Sequence, residues 1–226
     1  MEAAKHNGFI QPSNLLAGDS LLIYFDEYDL LIGVGILCIL LPIVWWRKHS
    51  LSYLLFFSIF WVYLLAVVQA VIFPIAINTG YGRATVTSSI NLVPFYFGSC
   101  FSHMPELCVT GIIDNIILTI PFGFGINFLV RVKPRYFFWL ALAVGLGFEF
   151  SQLLLSIAFR SGFRAVDIND AILNATGVLL GYALFRTFAW AYLKATEHFG
   201  ITHKWLFADI YDVVIQTQAT DRSKNA

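Results

Sequence analysis

Residues 51–77 read LSYLLFFSIFWVYLLAVVQAVIFPIAI, and no charged side chain interrupts them. An apolar run of about 20 residues is long enough, as a helix, to cross roughly 30 Å of hydrocarbon. The run is continuous rather than alternating. That selects a helix over a barrel strand, because only a helix satisfies its own backbone within one segment. Working outward, similar runs occupy about 29–46 on one side and about 107–130, 136–158 and 168–193 on the other. The expected fold is an all-α integral membrane protein, a bundle of about five transmembrane helices. Composition agrees: of 226 residues, 58% are hydrophobic and 12% charged, against roughly 45–50% and about 25% in a soluble domain. The formal net charge is zero, which removes the electrostatic case for nucleic acid.

These runs divide the chain into an extracytoplasmic segment (1–28), an additional first transmembrane helix (29–46), a four-helix transmembrane domain (51–193) and a cytoplasmic tail (194–226). The first run follows Asp26, Glu27 and Asp29 with no basic stretch before it, so it reads as a span and not a cleavable signal. Orientation comes from Lys and Arg. Arg47 and Lys48, then Arg131, Lys133 and Arg135, then Lys194, Lys204, Arg222 and Lys224 share one side of a five-span chain. Lys5, Arg83, Arg160 and Arg164 share the other. The richer side is assigned to the cytoplasm, which puts the N-terminus outside and the C-terminus inside. The run Leu21 to Phe25 suits the outer membrane surface, and the loop from Asn78 to Glu106 is expected to fold against it. The end of the tail, polar from about Gln216, suits a frayed terminus.

Three cysteines, Cys38, Cys100 and Cys108, read as buried apolar thiols, although the last two fall on the outer side, where a disulfide could form. The five histidines are scattered and no metal-ligand spacing occurs. No metal or cofactor is expected.

The informative residues are polar ones within the spans, since a charge at the centre of a bilayer costs about 2.5–3.5 kcal/mol on insertion scales and tends to mark function. They are Asp114, Glu149 and Asp170, with Asn115, Gln152 and Asn174 as neutral companions and Asp167 at a helix mouth. At about 100° per residue, Asp167, Asp170, Asn174, Gly177 and Gly181 fall on one stripe of the fifth span. Glu149 and Gln152 share a face of the fourth. All lie toward the outer leaflet, beside Arg160 and Arg164. The expectation is an outward-open polar cleft, lined by acids and closed by arginines. The competing account is packing: such residues can simply bond one another between helices, and Gly177 and Gly181 have the spacing that allows close helix contact, within the chain or between copies.

Four strings carry a resemblance: Asn91-Leu-Val-Pro94-Phe95, Asn115-Ile-Ile-Leu-Thr-Ile-Pro121-Phe122-Gly123-Phe124, Glu149-Phe-Ser-Gln152, and Arg164-Ala-Val-Asp167-Ile-Asn-Asp170-Ala-Ile-Leu-Asn174-Ala-Thr-Gly177 followed by Gly181-Tyr182. In this order, over about residues 50–190, the chain resembles the VanZ family, with Thr119 standing where the family pattern would have a larger apolar residue. The resemblance implies a bacterial cytoplasmic-membrane protein linked to low-level resistance to teicoplanin-type glycopeptides, and it carries no assigned catalysis. The matching positions are Asn91, Pro94, Asn115, Glu149, Gln152, Arg164, Asp167, Asp170 and Asn174.

Two functional expectations follow. In the first, a non-enzymatic envelope protein meets membrane lipids and binds a lipid-linked glycan or lipoglycopeptide through Asn91, Asp114, Asn115, Glu149, Gln152, Arg160, Arg164, Asp167, Asp170 and Asn174. Acids and amides there suit amines and hydroxyls, and the arginines suit phosphate or carboxylate. In the second, an intramembrane hydrolase or transferase uses Glu149 as general acid and base with Asp167 or Asp170 as partner carboxylate. No nucleophile–base pair or phosphate-cradling loop accompanies them. A coupled transporter is a weaker third, since no internal repeat offers an alternating-access architecture.

Overall fold

The computed structural model describes residues 15–16, 20–47, 50–78, 90–98, 100–159, 166–200 and 206–222. Among them five helices are long and apolar enough to cross a membrane: α1 (Glu27–Trp46), α2 (Leu51–Ile72), α4 (Pro105–Gly125, extended by a tight turn over Ile126–Phe128), α5 (Pro134–Ala158) and α6 (Ile168–Phe199). Their starts are encoded locally. Asp26 and Asp29 form a reciprocal capping box on α1, and the Ser50 hydroxyl accepts the Tyr53 N–H at the start of α2. Pro105 and Pro134 open α4 and α5, where a missing N–H costs nothing. Gly200, at φ 55°, ends α6.

The second apolar run was expected to continue as helix to residue 77, and it does not. Pro74 has no N–H to give and disfavours helix at Phe73, so α2 stops at Ile72. The chain then enters β3 (Ile75–Asn78), which pairs antiparallel with β2 (Ser20–Ile23), itself paired with β1 (Leu15–Leu16). A second, parallel pair joins β4 (Ile90–Asn91) to β5 (Val166–Asp167). The fold is therefore helical with a small strand-bearing end, not purely α. That end also holds α3 (Cys100–His103), tied to α4 by a disulfide between Cys100 and Cys108. Of the three cysteines expected as free thiols, Cys100 and Cys108 are therefore joined, and Cys38, on the outer face of the apolar α1, is free.

Packing is closest along α6. A Cβ at Gly177 would run into the Ile116 carbonyl and the Thr119 hydroxyl of α4, one at Gly181 into the Ile120 carbonyl, and one at Gly123 of α4 into the Val178 carbonyl. Gly145 of α5 meets the Ala171 carbonyl in the same way. Small residues thus let α4 and α5 lie against the α6 backbone. Below the glycines, Phe124, Phe128, Phe185 and Phe188 form a ring cluster, with Phe124 edge-on to Phe185.

The C-terminal segment differs from the frayed tail that its composition suggests. Residues Leu206–Arg222 form α7, whose apolar residues recur at Leu206, Ile210, Val213 and Val214, a helical spacing with one buried face. Val214 is fully buried, and the Tyr192 hydroxyl of α6 donates to the Phe207 carbonyl at 3.2 Å.

Candidate functional site

The β4–β5 pair sets Asn91 directly beside Asp167 at the mouth of α6. The Asn91 amide donates to the Asp167 carboxylate at 3.0 Å and to the Tyr96 carbonyl at 2.9 Å, while its own oxygen accepts the Val93 N–H. Asp167 caps α6 by accepting the Asn169 N–H at 2.8 Å, where a carboxylate also meets the positive end of the helix. Its backbone N–H donates to the Glu149 carboxylate of α5 at 2.8 Å. Asn169 completes the frame: its oxygen accepts the Phe95 N–H and its amide donates to the Tyr96 carbonyl at 2.8 Å. Phe95 sits at φ 63° with its ring exposed. A non-glycine residue there costs about 1–3 kcal/mol unless its surroundings hold it, and Asn169 does so.

A second group lies one to two turns further along α6. Thr119, fully buried, donates to the Asn174 carbonyl across the α4–α6 contact at 2.7 Å, which explains a small hydroxyl where a larger apolar residue was expected. The Asn174 amide donates to the Asp170 carbonyl at 2.8 Å and to the Asn115 side-chain oxygen at 3.2 Å. Both its hydrogens are engaged, and its oxygen, on a side chain only 2% exposed, has no donor among the described residues. The half-buried carboxylate of Asp170 likewise accepts no hydrogen bond among the described residues.

The structure thus brings Asn91, Glu149 and Asp167 into one hydrogen-bonded frame, and Asn115, Asp170 and Asn174 into a neighbouring group. Gln152 goes elsewhere: its amide donates to the Val71 carbonyl at 3.1 Å, satisfying one of the carbonyls left open at the end of α2. Asp114 does not join either group. It is exposed, because consecutive helical residues point about 100° apart and Asn115 takes the direction of α6. Arg160 and Arg164 lie outside the described residues. Asn169 was not singled out from the sequence, although it stands within the quoted string and is almost fully buried. Among the described residues no group of His, Cys, Asp and Glu could hold a metal ion.

Residues 60–189, more than half of the chain, match the VanZ/LLP1 family. The chain belongs to the VanZ/LLP1 family. It is also 32% identical over 126 residues to "Protein VanZ" of Enterococcus faecium, a stretch covering 54% of this chain and 68% of that relative. No solved structure matches. The VanZ/LLP1 match begins within α2 and ends within α6, so it contains every polar residue of the two groups, while α1, the β1–β2 strands and α7 fall outside it.

Proposed function

We propose that this VanZ-like protein is a multi-pass component of the bacterial cytoplasmic membrane that supports tolerance to teicoplanin-type glycopeptides by binding the polar part of an amphiphile, a lipid-linked glycan or the lipoglycopeptide itself. The observation that carries the reading is the pair of acceptors on α6, the Asp170 carboxylate and the buried Asn174 oxygen, which lack donors among the described residues. A buried acceptor left without a donor costs about 1–3 kcal/mol. A ligand amine or hydroxyl supplies that donor, and aminosugars and glycopeptides present both. The Asn91–Asp167–Glu149–Asn169 frame then serves to hold the α6 mouth in place, not to perform chemistry. Arg47, Arg131, Lys133 and Arg135 gather at the end opposite the strands, so that end is read as cytoplasmic and the polar groups as facing outward.

Asp170→Asn and Asn174→Leu, expressed separately in a sensitive host, are expected to return teicoplanin tolerance to that of cells lacking the protein, with the amount in the membrane unchanged for Asp170→Asn. Loss of a charge-assisted hydrogen bond weakens binding roughly tenfold or more. Full tolerance with Asp170→Asn at normal abundance would remove the acceptor pair from the mechanism.

A further inference from the structure

At the end of the bundle away from the strands, the connection leading into α5 meets α7. Between them lies a cavity of about 450 Å³, lined on one side by Asn127, Arg131 and Lys133 and on the other by Val213, Gln216 and Thr217 of α7. Arg131 and Lys133 are exposed. Among the described residues no carboxylate lines the cavity, and Asp209 and Asp212 of α7 are not part of its wall. The first turn of α5, which begins at Pro134 on the cavity wall, carries no capping side chain, so the positive end of a long helix opens beside the two cations. Beside Gln216, the polar lining includes two acceptors whose hydrogens are already engaged. Asn127 is buried and donates both amide hydrogens to the Gly123 and Phe124 carbonyls, and the Thr217 hydroxyl donates to the Val213 carbonyl at 2.8 Å. What fits is a phosphate that also presents hydroxyl groups.

Position narrows the source. The cavity lies level with the first residue of α5, where an apolar helix would emerge from hydrocarbon into the headgroup layer. Exposed Phe138 and Trp139 in the next turns of α5 offer an apolar surface to acyl chains. We propose that this cavity binds the headgroup of an anionic glycerophospholipid drawn from the leaflet at the basic end of the bundle. Basic pockets between helices at this depth are suited to such headgroups, each Lys or Arg adding to the attraction. The docked face of α7, with Val214 fully buried, forms the wall that turns a basic loop into a pocket. This site is independent of the acceptor pair on α6.

The test follows thermal unfolding of the full-length protein in neutral detergent, titrated with phosphatidylglycerol, phosphatidylcholine or inorganic phosphate. Phosphatidylglycerol is expected to raise Tm saturably, and phosphatidylcholine to leave it unchanged over the same range. R131Q/K133Q, altered only at exposed side chains, should need roughly 30-fold more phosphatidylglycerol for the same shift. R135Q is the control, because Arg135 lies over the Tyr136 ring and outside the cavity; it should titrate as the unaltered protein does. Equal shifts with both lipids, an unaltered response in R131Q/K133Q, or an R135Q defect as large as that of the double variant would overturn the proposal. Inorganic phosphate alone reproducing the shift would also overturn it, by making the site one for a soluble anion.

Discussion

Asn169 holds the turn after β4 with one amide: its oxygen takes the Phe95 N–H, its nitrogen serves the Tyr96 carbonyl, and its own backbone N–H reaches Asp167. Asn169→Ala should therefore loosen the 91–98 turn and cost about 1–3 kcal/mol, since the Phe95 N–H loses its acceptor while the Tyr96 carbonyl keeps only the Asn91 amide. Asn169→Asp is the sharper test, because a carboxylate keeps the acceptor for Phe95 but sets an oxygen against the Tyr96 carbonyl. Both variants are expected to lower thermal stability and expose the turn to protease, and an Asn169→Asp protein as stable as the parent would show that the donor is dispensable. The reason this residue escaped the sequence reading is physical. At about 100° per residue Asn169 falls off the stripe shared by Asp167, Asp170 and Asn174, and a two-residue strand such as β4 has no periodicity to announce what it pairs with. Asp114 was conspicuous by its insertion cost and joins neither group, so cost identifies a residue worth explaining without identifying its direction.

Between elements, the glycines divide by what a methyl group would meet. At Gly123, Gly177 and Gly181 it meets carbonyl oxygens of the facing helix, whereas at Gly35 and Gly147 it meets nothing within 4 Å. Gly177→Ala should push α4 from α6, break the Thr119–Asn174 hydrogen bond and cost about 1–3 kcal/mol. Gly147→Ala should be neutral or gain roughly 0.5–1 kcal/mol from helix propensity. Unfolding in sodium dodecyl sulfate separates the two, and a Gly177→Ala protein as resistant as Gly147→Ala would contradict the backbone contact. The small-residue spacing at Gly177 and Gly181 was visible in the sequence, but its partner was not: spacing tells that a helix can approach closely, while only the tertiary arrangement shows α4 of the same chain occupying that face. The helical runs were legible for a simpler reason, since hydrophobic length is a local property. The stop at Ile72 was equally local, written in Pro74, yet the apolar Ile75, Ala76 and Ile77 concealed it by continuing the hydropathy through what is strand. In α7 the polar end of the segment masked a helical repeat that packs Val214 against the bundle.

For the whole molecule, two unrelated features bear on the same orientation. One is the gathering of Arg47, Arg131, Lys133 and Arg135 at the end away from the strands, the end that the proposed orientation sets on the cytoplasmic side because basic residues favour it. The other is the Cys100–Cys108 disulfide at the strand-bearing end, which persists in oxidising compartments and is reduced in the cytosol. The first depends on how the chain was inserted and the second on the solution it then meets, so agreement between them is informative. In intact cells, a membrane-impermeant maleimide should leave Cys100 and Cys108 unlabelled until an impermeant reductant is added, and then label both. A single cysteine placed at Arg135, with the native three replaced, should stay unlabelled until the membrane is opened. If instead the Arg135 position reacts in intact cells and Cys100 and Cys108 are found as free thiols shielded from the reagent, the bundle is inverted. The α6 acceptor pair would then face the cytoplasm, where no external glycopeptide reaches it, and the binding proposal would fall together with the orientation.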